Sequence, residues 1–233
     1  MAVKIKHIDE LENAIDVHFD DDNLLSLAFI HKSYVNEHDD EERYNERLEF
    51  LGDAVLELAV TDFLYHNHPD QPEGQLTNWR SALVKGKNLA RVARKLGLGK
   101  YLLLSRGEDL SGGREKDYIL ANTVEALIGA IYLDKGFDLT NQFILKNIVI
   151  MLDEIIAAGL NVDSKSRVQE LAQDRLNVTP AYELLSEEGP DHDKVFEMGI
   201  YFGSELAGKG KGPSKQEAEQ SAARDALKKR KWK

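Results

Sequence analysis

The spacing of apolar residues changes near residue 159, and this change constrains the fold more than any other feature of the sequence. From 8 to 158, apolar residues recur at helical spacing almost throughout, with polar or turn-rich interruptions at 36–44, 67–74 and 106–115. After the polar segment NVDSKS, the spacing switches to a mixture of helical and alternating stretches. The sequence therefore predicts an all-α domain followed by a small domain of another class.

The second part predicts the order α-β-β-β-α, which is a compact α+β module. Its elements are the helix SRVQELAQDRL, the strands AYELLSE, VFEMGIYF and SELAG, a loop rich in glycine and lysine, and a final alanine-rich helix. In that last helix Ala218, Ala222 and Ala226 would allow close packing on the sheet. We predict a first domain over 1–158, a linker over 159–164 and a second domain over 165–233.

Composition is consistent with two soluble domains in a reducing compartment. A chain of 233 residues that is 42% hydrophobic can form two cores, and it contains no cysteine. The N-terminal residues have no apolar signal region, and no stretch approaches the ~20 apolar residues of a membrane span. We expect a cytoplasmic protein that does not enter a membrane.

The negative net charge of the chain lies entirely in its first part. Residues 1–160 contain 17 Lys+Arg and 28 Asp+Glu, whereas residues 161–233 contain 13 of each. An acidic domain that approaches a polyphosphate needs divalent cations or a separate docking module. The second domain is the candidate for that module.

The segment NERLEFLGDAVLEL carries two opposite stripes when it is placed on a helix. The acidic stripe comprises Glu46, Glu49, Asp53 and Glu57. The apolar stripe, which we expect in the core, comprises Leu48, Leu51, Val55 and Leu58. Stacked carboxylates repel one another, and the acidic stripe lacks a lysine or arginine at i+4 to offset this repulsion. A cation is expected there.

A second segment, ILANTVEALIGAIYLD, could complete a metal site. It places Asn122 and Glu125 on one helical stripe with Gly129, which would permit a close helix–helix approach. Oxygen ligands from two helices can enclose Mg²⁺. The alternative is a solvated acidic face, because such faces are common, and we prefer that reading for Glu57.

These segments resemble the ribonuclease III family. NERLEFLGD matches its signature, and LAFIHKSYV (27–35), Glu73 and ANTVEALIGA appear in the family's order. The resemblance implies that Glu49, Asp53 and Glu125 hold a catalytic Mg²⁺, with Mn²⁺ as a substitute and Asn122 at the fourth ligand position. It also implies catalytic roles for Glu46 and Glu73, nearer to substrate and assembly.

The function implied by this resemblance is hydrolysis of double-stranded RNA to 5′-phosphate and 3′-hydroxyl ends with two-nucleotide 3′ overhangs. Ribosomal RNA precursors and structured mRNA would be the substrates. The family usually has Asp at the position of Asn122, so a duplex-RNA-binding regulator with impaired cleavage is the alternative. A structural ribosomal subunit derived from the family is a third possibility, but such proteins tend to lose the acidic residues that remain in this chain.

Phe50 lies beside the acidic stripe, so a monomer would expose it. A single exposed aromatic residue is ordinary in itself. In the family, this phenylalanine inserts into a pocket of a partner subunit. The resemblance therefore implies a homodimer with Phe50 at its interface.

The second domain resembles the double-stranded-RNA-binding domain over residues 164–230. Its first helix presents a neutral polar face that suits ribose hydroxyls, although a solvated surface has the same pattern. The predicted RNA contacts are Ser166, Gln169 and Gln173 on that face, His192 in the GP-x-H turn, and Lys209, Lys211, Ser214 and Lys215 around the start of the last helix. The positive end of that helix would favour phosphate.

Overall fold

The computed structural model of the chain describes residues 4–38, 43–157, 164–190 and 194–232. The chain divides into two compact units, Met1–Asn161 and Val162–Lys233. Each unit has its own buried apolar core. Among the described residues, no helix combines the length and apolar character that a membrane span requires.

The first unit is helical, as predicted. An isolated parallel bridge joins Ile30 to Leu103, and short 3₁₀ turns occur at Leu98–Tyr101, Gly113–Glu115 and Val149–Met151. The helices are α1 (Ile8–Ile15), α2 (Asp22–Leu27), α3 (Lys32–Val35), α4 (Glu46–Asn67), α5 (Glu73–Val84), α6 (Gly86–Lys95), α7 (Arg106–Leu110), α8 (Asp117–Asn147) and α9 (Leu152–Ala157).

Helices α4 and α8 pack side by side at the centre of this unit, and two glycines allow their backbones to approach. A Cβ atom on Gly52 would collide with the carbonyl oxygen of Glu125, and one on Gly129 would collide with the carbonyl oxygen of Leu48. The close approach predicted for Gly129 is confirmed. Any larger residue at either position would push the two helices apart.

The buried face of α4 is rotated relative to the predicted apolar stripe. Leu48 and Val55 are buried as expected, but 58% of Leu58 is exposed. The buried face instead runs through Gly52, Leu56 and Ala59, the last two in the core. The expectation for Leu58 was wrong, because the close packing of α4 on α8 at the glycine turns that side of α4 toward solvent.

The second unit has the predicted order α-β-β-β-α. It comprises α10 (Ser164–Leu176), β1 (Ala181–Glu188), β2 (Val195–Phe202), β3 (Glu205–Gly212) and α11 (Lys215–Arg230). The strands form an antiparallel sheet in the order β1-β2-β3. One predicted detail was wrong, because the stretch rich in glycine and lysine is part of strand β3 and not a loop.

Strand β3 is glycine-rich because α11 lies directly on it. A Cβ atom on Gly208, Gly210 or Gly212 would collide with the backbone of α11. The small residues Ala218, Ala222 and Ala226 are fully buried on the facing side of the helix. The alanine stripe therefore packs on the sheet as predicted.

Candidate active site

The start of α4 is anchored to the segment that precedes α3. Asn45 is buried, its backbone N–H donates to the carbonyl of Ile30 (2.9 Å), and its side chain donates to the carbonyl of Ala28 (3.3 Å). Its carbonyl accepts the N–H of Glu49 (2.9 Å), which begins the helical hydrogen bonding. This arrangement fixes the position of the first helical turn of α4 and the carboxylates on it.

Four of the predicted ligands lie along the contact between α4 and α8. Glu49 on α4 and both Asn122 and Glu125 on α8 are half-buried, whereas Asp53 on α4 is exposed. The charges of Asp53 and Glu49 raise the pKa of Glu125, and the charge of Asp53 contributes to the raised pKa of Glu49, so these side chains lie near one another. The structure thus brings these predicted residues into one acidic cluster.

Burial and repulsion between neighbouring carboxylates raise the pKa values of Glu49 and Glu125. Burial raises the pKa of Glu125 to about 7, and the charges of Asp53 and Glu49 contribute to the rise. Burial also raises the pKa of Glu49, with further contributions from Glu46 and Asp53, while a hydrogen bond from Asn122 opposes the rise. Removing carboxylates from water without a counter-ion has this effect.

The donor chemistry of the cluster fits a hard divalent cation. Three carboxylates and one amide offer side-chain oxygen atoms, which are the donors that Mg²⁺ and Mn²⁺ prefer. In the part of the chain that the structure describes, no group of three or more His, Asp or Glu side chains has converged into a ready-made metal cluster.

Glu46 lies at the edge of the cluster and pairs with a lysine. The Nζ atom of Lys32 lies 3.4 Å from Oε1 of Glu46 and 5.6 Å from the centre of the Tyr44 ring. Glu46 also contributes to the raised pKa of Glu49. The structure therefore places Glu46 with the other acidic residues, as predicted.

Glu73 lies apart from these interactions, at the start of α5. Its carboxylate accepts a hydrogen bond from Thr77 (3.0 Å). It lines a cavity of about 650 Å³ together with Thr61, Tyr65 and Arg80. Within the described residues, no hydrogen bond or ion pair joins Glu73 to the cluster on α4 and α8.

Phe50 is 81% exposed, as its position beside the acidic stripe predicted. Leu58 and Tyr65 are also exposed on α4. Phe50 borders a cavity of about 960 Å³ whose other apolar lining includes Leu24 and Leu133. An apolar helix face therefore lies next to an apolar cavity on the surface of the first unit.

In the second unit, the predicted polar face of α10 is exposed. Ser166, Gln169 and Gln173 all face solvent, and Gln173 donates a hydrogen bond to Asn177 (2.9 Å). Val168 and Ala172, on the opposite side of α10, are buried. His192 lies outside the described residues.

The basic residues near α11 lie in two places and not in one. Lys209 and Lys211 alternate along β3 with glycines that face α11, so their side chains lie on the other face of the sheet. Lys211 pairs there with Glu197 (3.7 Å). The expectation that these two lysines join the start of α11 was wrong, because the stretch is a strand. Ser214 does cap α11 by accepting the N–H of Glu217 (3.2 Å).

Comparison with known proteins decides what this pair of units is. Residues 21–152 match the family model described as Ribonuclease-III-like, and residues 164–230 match the double-stranded RNA binding motif. Ribonuclease 3 of Natranaerobius thermophilus is 47% identical over 98% of this chain and 99% of its own length. That of Clostridium perfringens is 44% identical over 94% of this chain and 92% of its own.

The chain belongs to the ribonuclease III family. A solved nuclease domain of ribonuclease III from Campylobacter jejuni supports the same assignment for the first unit, with 43% identity and a TM-score of 0.56 over 60% of this chain and 98% of that one. The predicted family, fold class and enzyme class, a metal-dependent endoribonuclease of double-stranded RNA, are confirmed. The alternative of a cleavage-impaired regulator is not favoured, because the matched relatives are ribonucleases over almost their whole length.

Two residues beside the acidic cluster of this family member were not predicted from the sequence. Lys32 lay within the segment that matched the family, but its pairing with Glu46 depends on how α3 meets α4. Asn45 immediately precedes the acidic stripe, and a polar residue before a helix start is a recognisable signal for a structural hydrogen bond. The partner of Lys32 had no comparable signal in the sequence.

Proposed function

We propose that this chain hydrolyses phosphodiesters of double-stranded RNA with Mg²⁺ held by Glu49, Asp53, Glu125 and the side-chain oxygen of Asn122. Mn²⁺ would substitute. The observation that carries the proposal is the acidic cluster between α4 and α8, where burial and repulsion raise the pKa values of Glu49 and Glu125. A bound cation would supply the missing counter-charge, lower the pKa of an attacking water and offset charge on the leaving 3′ oxygen.

The chain's own residues would hold and orient the reactants. Glu49 and Glu125 must be ionised to act as ligands, so a bound cation would favour their carboxylate forms. Asn122 contributes an oxygen ligand without charge, which leaves the site one negative charge weaker than a site with Asp. Glu46 and Glu73 would act nearer to the RNA and to the assembled enzyme. No protein nucleophile is required.

The second unit would dock the duplex. We assign 1–158 to the nuclease domain, 159–164 to the linker and 165–233 to the RNA-binding domain. The exposed polar residues of α10, Ser166, Gln169 and Gln173, suit ribose hydroxyls in a minor groove. Ser214 and Lys215 at the positive end of α11 suit phosphates, and His192, outside the described residues, would be a further contact with the duplex.

The first unit would form a two-fold dimer through Phe50. Its 81% exposure and the neighbouring apolar cavity support this assignment. The nuclease domain of Campylobacter jejuni ribonuclease III, which is similar to this unit, has a structurally flexible region that is involved in its dimer formation. In a two-fold dimer Phe50 of each subunit would fill the cavity of the other, and one acidic cluster would face each RNA strand.

Phe50→Glu tests the dimer, because placing an unpaired carboxylate in an apolar interface costs several kcal/mol. Sedimentation equilibrium should show a shift toward monomer. Leu110→Glu is the matched control, since Leu110 is 80% exposed on α7. A variant at Phe50 that stays as dimeric as the control would exclude this interface.

The proposed reaction is tested with end-labelled duplex RNA and Mg²⁺ on a sequencing gel. Both strands should be cut to 5′-phosphate and 3′-hydroxyl ends with a two-nucleotide 3′ overhang, and the single strands should resist. Precursor ribosomal RNA and structured mRNA of the cytoplasm are the substrates we expect. Failure to cut duplex RNA, or equal cutting of the single strands, would reject the proposal.

A further inference from the structure

Lys32 lies at the edge of the acidic cluster, where its side chain contacts Glu46 and Tyr44. Its Nζ atom lies 3.4 Å from Oε1 of Glu46 and over the ring of Tyr44, 5.6 Å from the ring centre. Its side chain remains 57% exposed. The ammonium group is therefore held between two neighbours on one side and is open to solvent on the other.

The backbone around Lys32 is tied to the start of α4. His31, the preceding residue, donates its N–H to Leu103 (3.1 Å), and its ring accepts the N–H of Ser33 (3.2 Å). One residue earlier, the carbonyl of Ile30 accepts the N–H of Asn45 (2.9 Å). The bond between Ile30 and Asn45 joins the backbone just before Lys32 to the backbone just before Glu46. The two segments that carry the ion pair are therefore held side by side.

Lys32 differs from the other basic residues of the described ion pairs because it supplies a positive charge to the acidic cluster. Among the ion pairs of residues 4–38, 43–157, 164–190 and 194–232, the pair with Lys32 is the one that reaches the cluster formed by Glu46, Glu49, Asp53 and Glu125. An exposed ion pair of this kind is weak and remains accessible to a second anion. An ammonium group has three N–H donors, so Lys32 can keep Glu46 and still donate to a phosphate oxygen.

We infer that Lys32 binds an RNA phosphate beside the one that is cleaved and shields the duplex from the charge of Glu46. The inference rests on the proposed function, which brings the cleaved phosphate to Glu49 and its neighbours. Glu46 and Glu49 are three residues apart on α4, a rise of about 4.5 Å. A phosphate within reach of Lys32 therefore lies next to the metal ligands and not at a distant part of the surface.

The test compares Lys32→Met, Lys32→Arg and Lys4→Met in the full-length protein. Methionine keeps the apolar stem and removes the charge, and arginine keeps the charge. Lys4 is the matched control, because it forms a similarly exposed pair with Asp22 at 3.0 Å in the same unit. Fluorescence anisotropy would measure the affinity for a labelled duplex RNA against KCl concentration in Ca²⁺, which also prefers oxygen ligands. A gel would verify that the RNA is intact.

Lys32→Met should weaken binding by about fivefold at moderate salt, which corresponds to about 1 kcal/mol. It should also make the plot of log affinity against log salt shallower by about 0.7 to 0.9, the value for one lost phosphate contact. Lys32→Arg and Lys4→Met should retain the parental slope. A parental slope for Lys32→Met would overturn the inference. Cleavage of the same duplex in Mg²⁺ by the parent reports separately on the proposed function.

Discussion

In the nuclease unit the carboxyl of Glu125 has its pKa raised to about 7, whereas in the RNA-binding unit the pKa of Asp225 is lowered. Burial raises the pKa of both groups. For Asp225 this effect is outweighed by hydrogen bonds from the Lys229 side chain and the Lys209 N–H. Glu125 has Asp53 and Glu49 as neighbours, and their charges add to the effect of burial.

This difference distinguishes acidic residues that are paired with cations of their own unit from acidic residues that need a positive charge from a bound ion. Asp225 connects α11 to an N–H of the edge strand β3, so its charge is satisfied inside its own unit. The charges that act on Glu125 are those of Asp53 and Glu49, and both raise its pKa. Perturbed carboxylates without an internal partner are typical of functional sites. Asp225 is therefore an acid that stabilises the fold, whereas Glu125 belongs to the proposed metal site.

The largest expected effect comes from Glu125→Gln, which removes the most perturbed carboxylate. We expect cleavage of duplex RNA in Mg²⁺ to fall at least about a hundredfold, because even residues that only support metal ligands can have effects of that size. Binding of the duplex should persist, since the RNA-binding unit is unchanged. Asp225→Asn should show the opposite result, with cleavage retained and the second unit destabilised.

The same variant tests the raised pKa through stability. The stability contributed by a carboxyl with a raised pKa is fully present below about pH 4.5 and is lost as the pH rises through about 7. Without metal, Glu125→Gln should therefore be more stable than the parent at pH 8, by about 1–2 kcal/mol after allowance for partial exposure. Urea unfolding at pH 5 should show no such gain. An equal gain at both pH values would contradict the assignment.

A second test uses the glycines that set the packing in each unit. Gly52→Ala and Gly210→Ala both place a methyl group against helix backbone, so each should lower the free energy of unfolding of its own unit by about 1–3 kcal/mol or more. Gly52→Ala should also weaken Mg²⁺ binding, because it separates α4 from α8. Gly107→Ala is the control, since a Cβ atom there meets nothing within 4 Å. If Gly52→Ala left Mg²⁺ affinity at the level of Gly210→Ala, the helix spacing would not govern the site.

Local spacing in the sequence was enough to predict the helical unit and the α+β unit, and to place the candidate ligands on one stripe of each of two helices. The two stripes on α4 and the Asn122–Glu125 pair on α8 required only helical periodicity, and the family resemblance assigned their roles. Gly129 also revealed the close contact of the two helices. These features were predictable because each depends on neighbours within a few turns of one helix.

The errors arose where distant segments determine the environment. Leu58 is exposed because α4 contacts α8 closely at Gly52, and this contact determines which face of α4 is buried. The apolar spacing of α4 alone does not predict that orientation. Lys209 and Lys211 were assigned to a loop because a segment with glycine at every second position is typical of a loop. In the structure the segment is a strand, and its glycines leave room for α11. The ion pair of Lys32 with Glu46 likewise depends on a backbone contact between segments that are far apart in sequence.

The smallest expected effect, and the sharpest test of the comparison, is that of Asn122→Asp. The substitution replaces the amide that lowers the pKa of Glu49 by a further carboxylate, so repulsion in the metal-free site should increase. The gain in ligand charge should lower the Mg²⁺ concentration for half-maximal cleavage by about tenfold, which corresponds to about 1.4 kcal/mol. Asn78→Asp adds the same charge at an exposed position of α5 and serves as the control.

Thermal unfolding separates this explanation from a general charge effect. In the absence of Mg²⁺ at pH 8, Asn122→Asp should melt below both the parent and Asn78→Asp, because only it adds charge to the cluster. Saturating Mg²⁺ should restore its melting temperature to at least that of the parent, since the cation stabilises the folded state in proportion to its affinity. If Asn122→Asp matched the parent in both the Mg²⁺ titration and the metal-free melt, Asn122 would not lie among the ligands, and the proposed ligands would be limited to Glu49, Asp53 and Glu125.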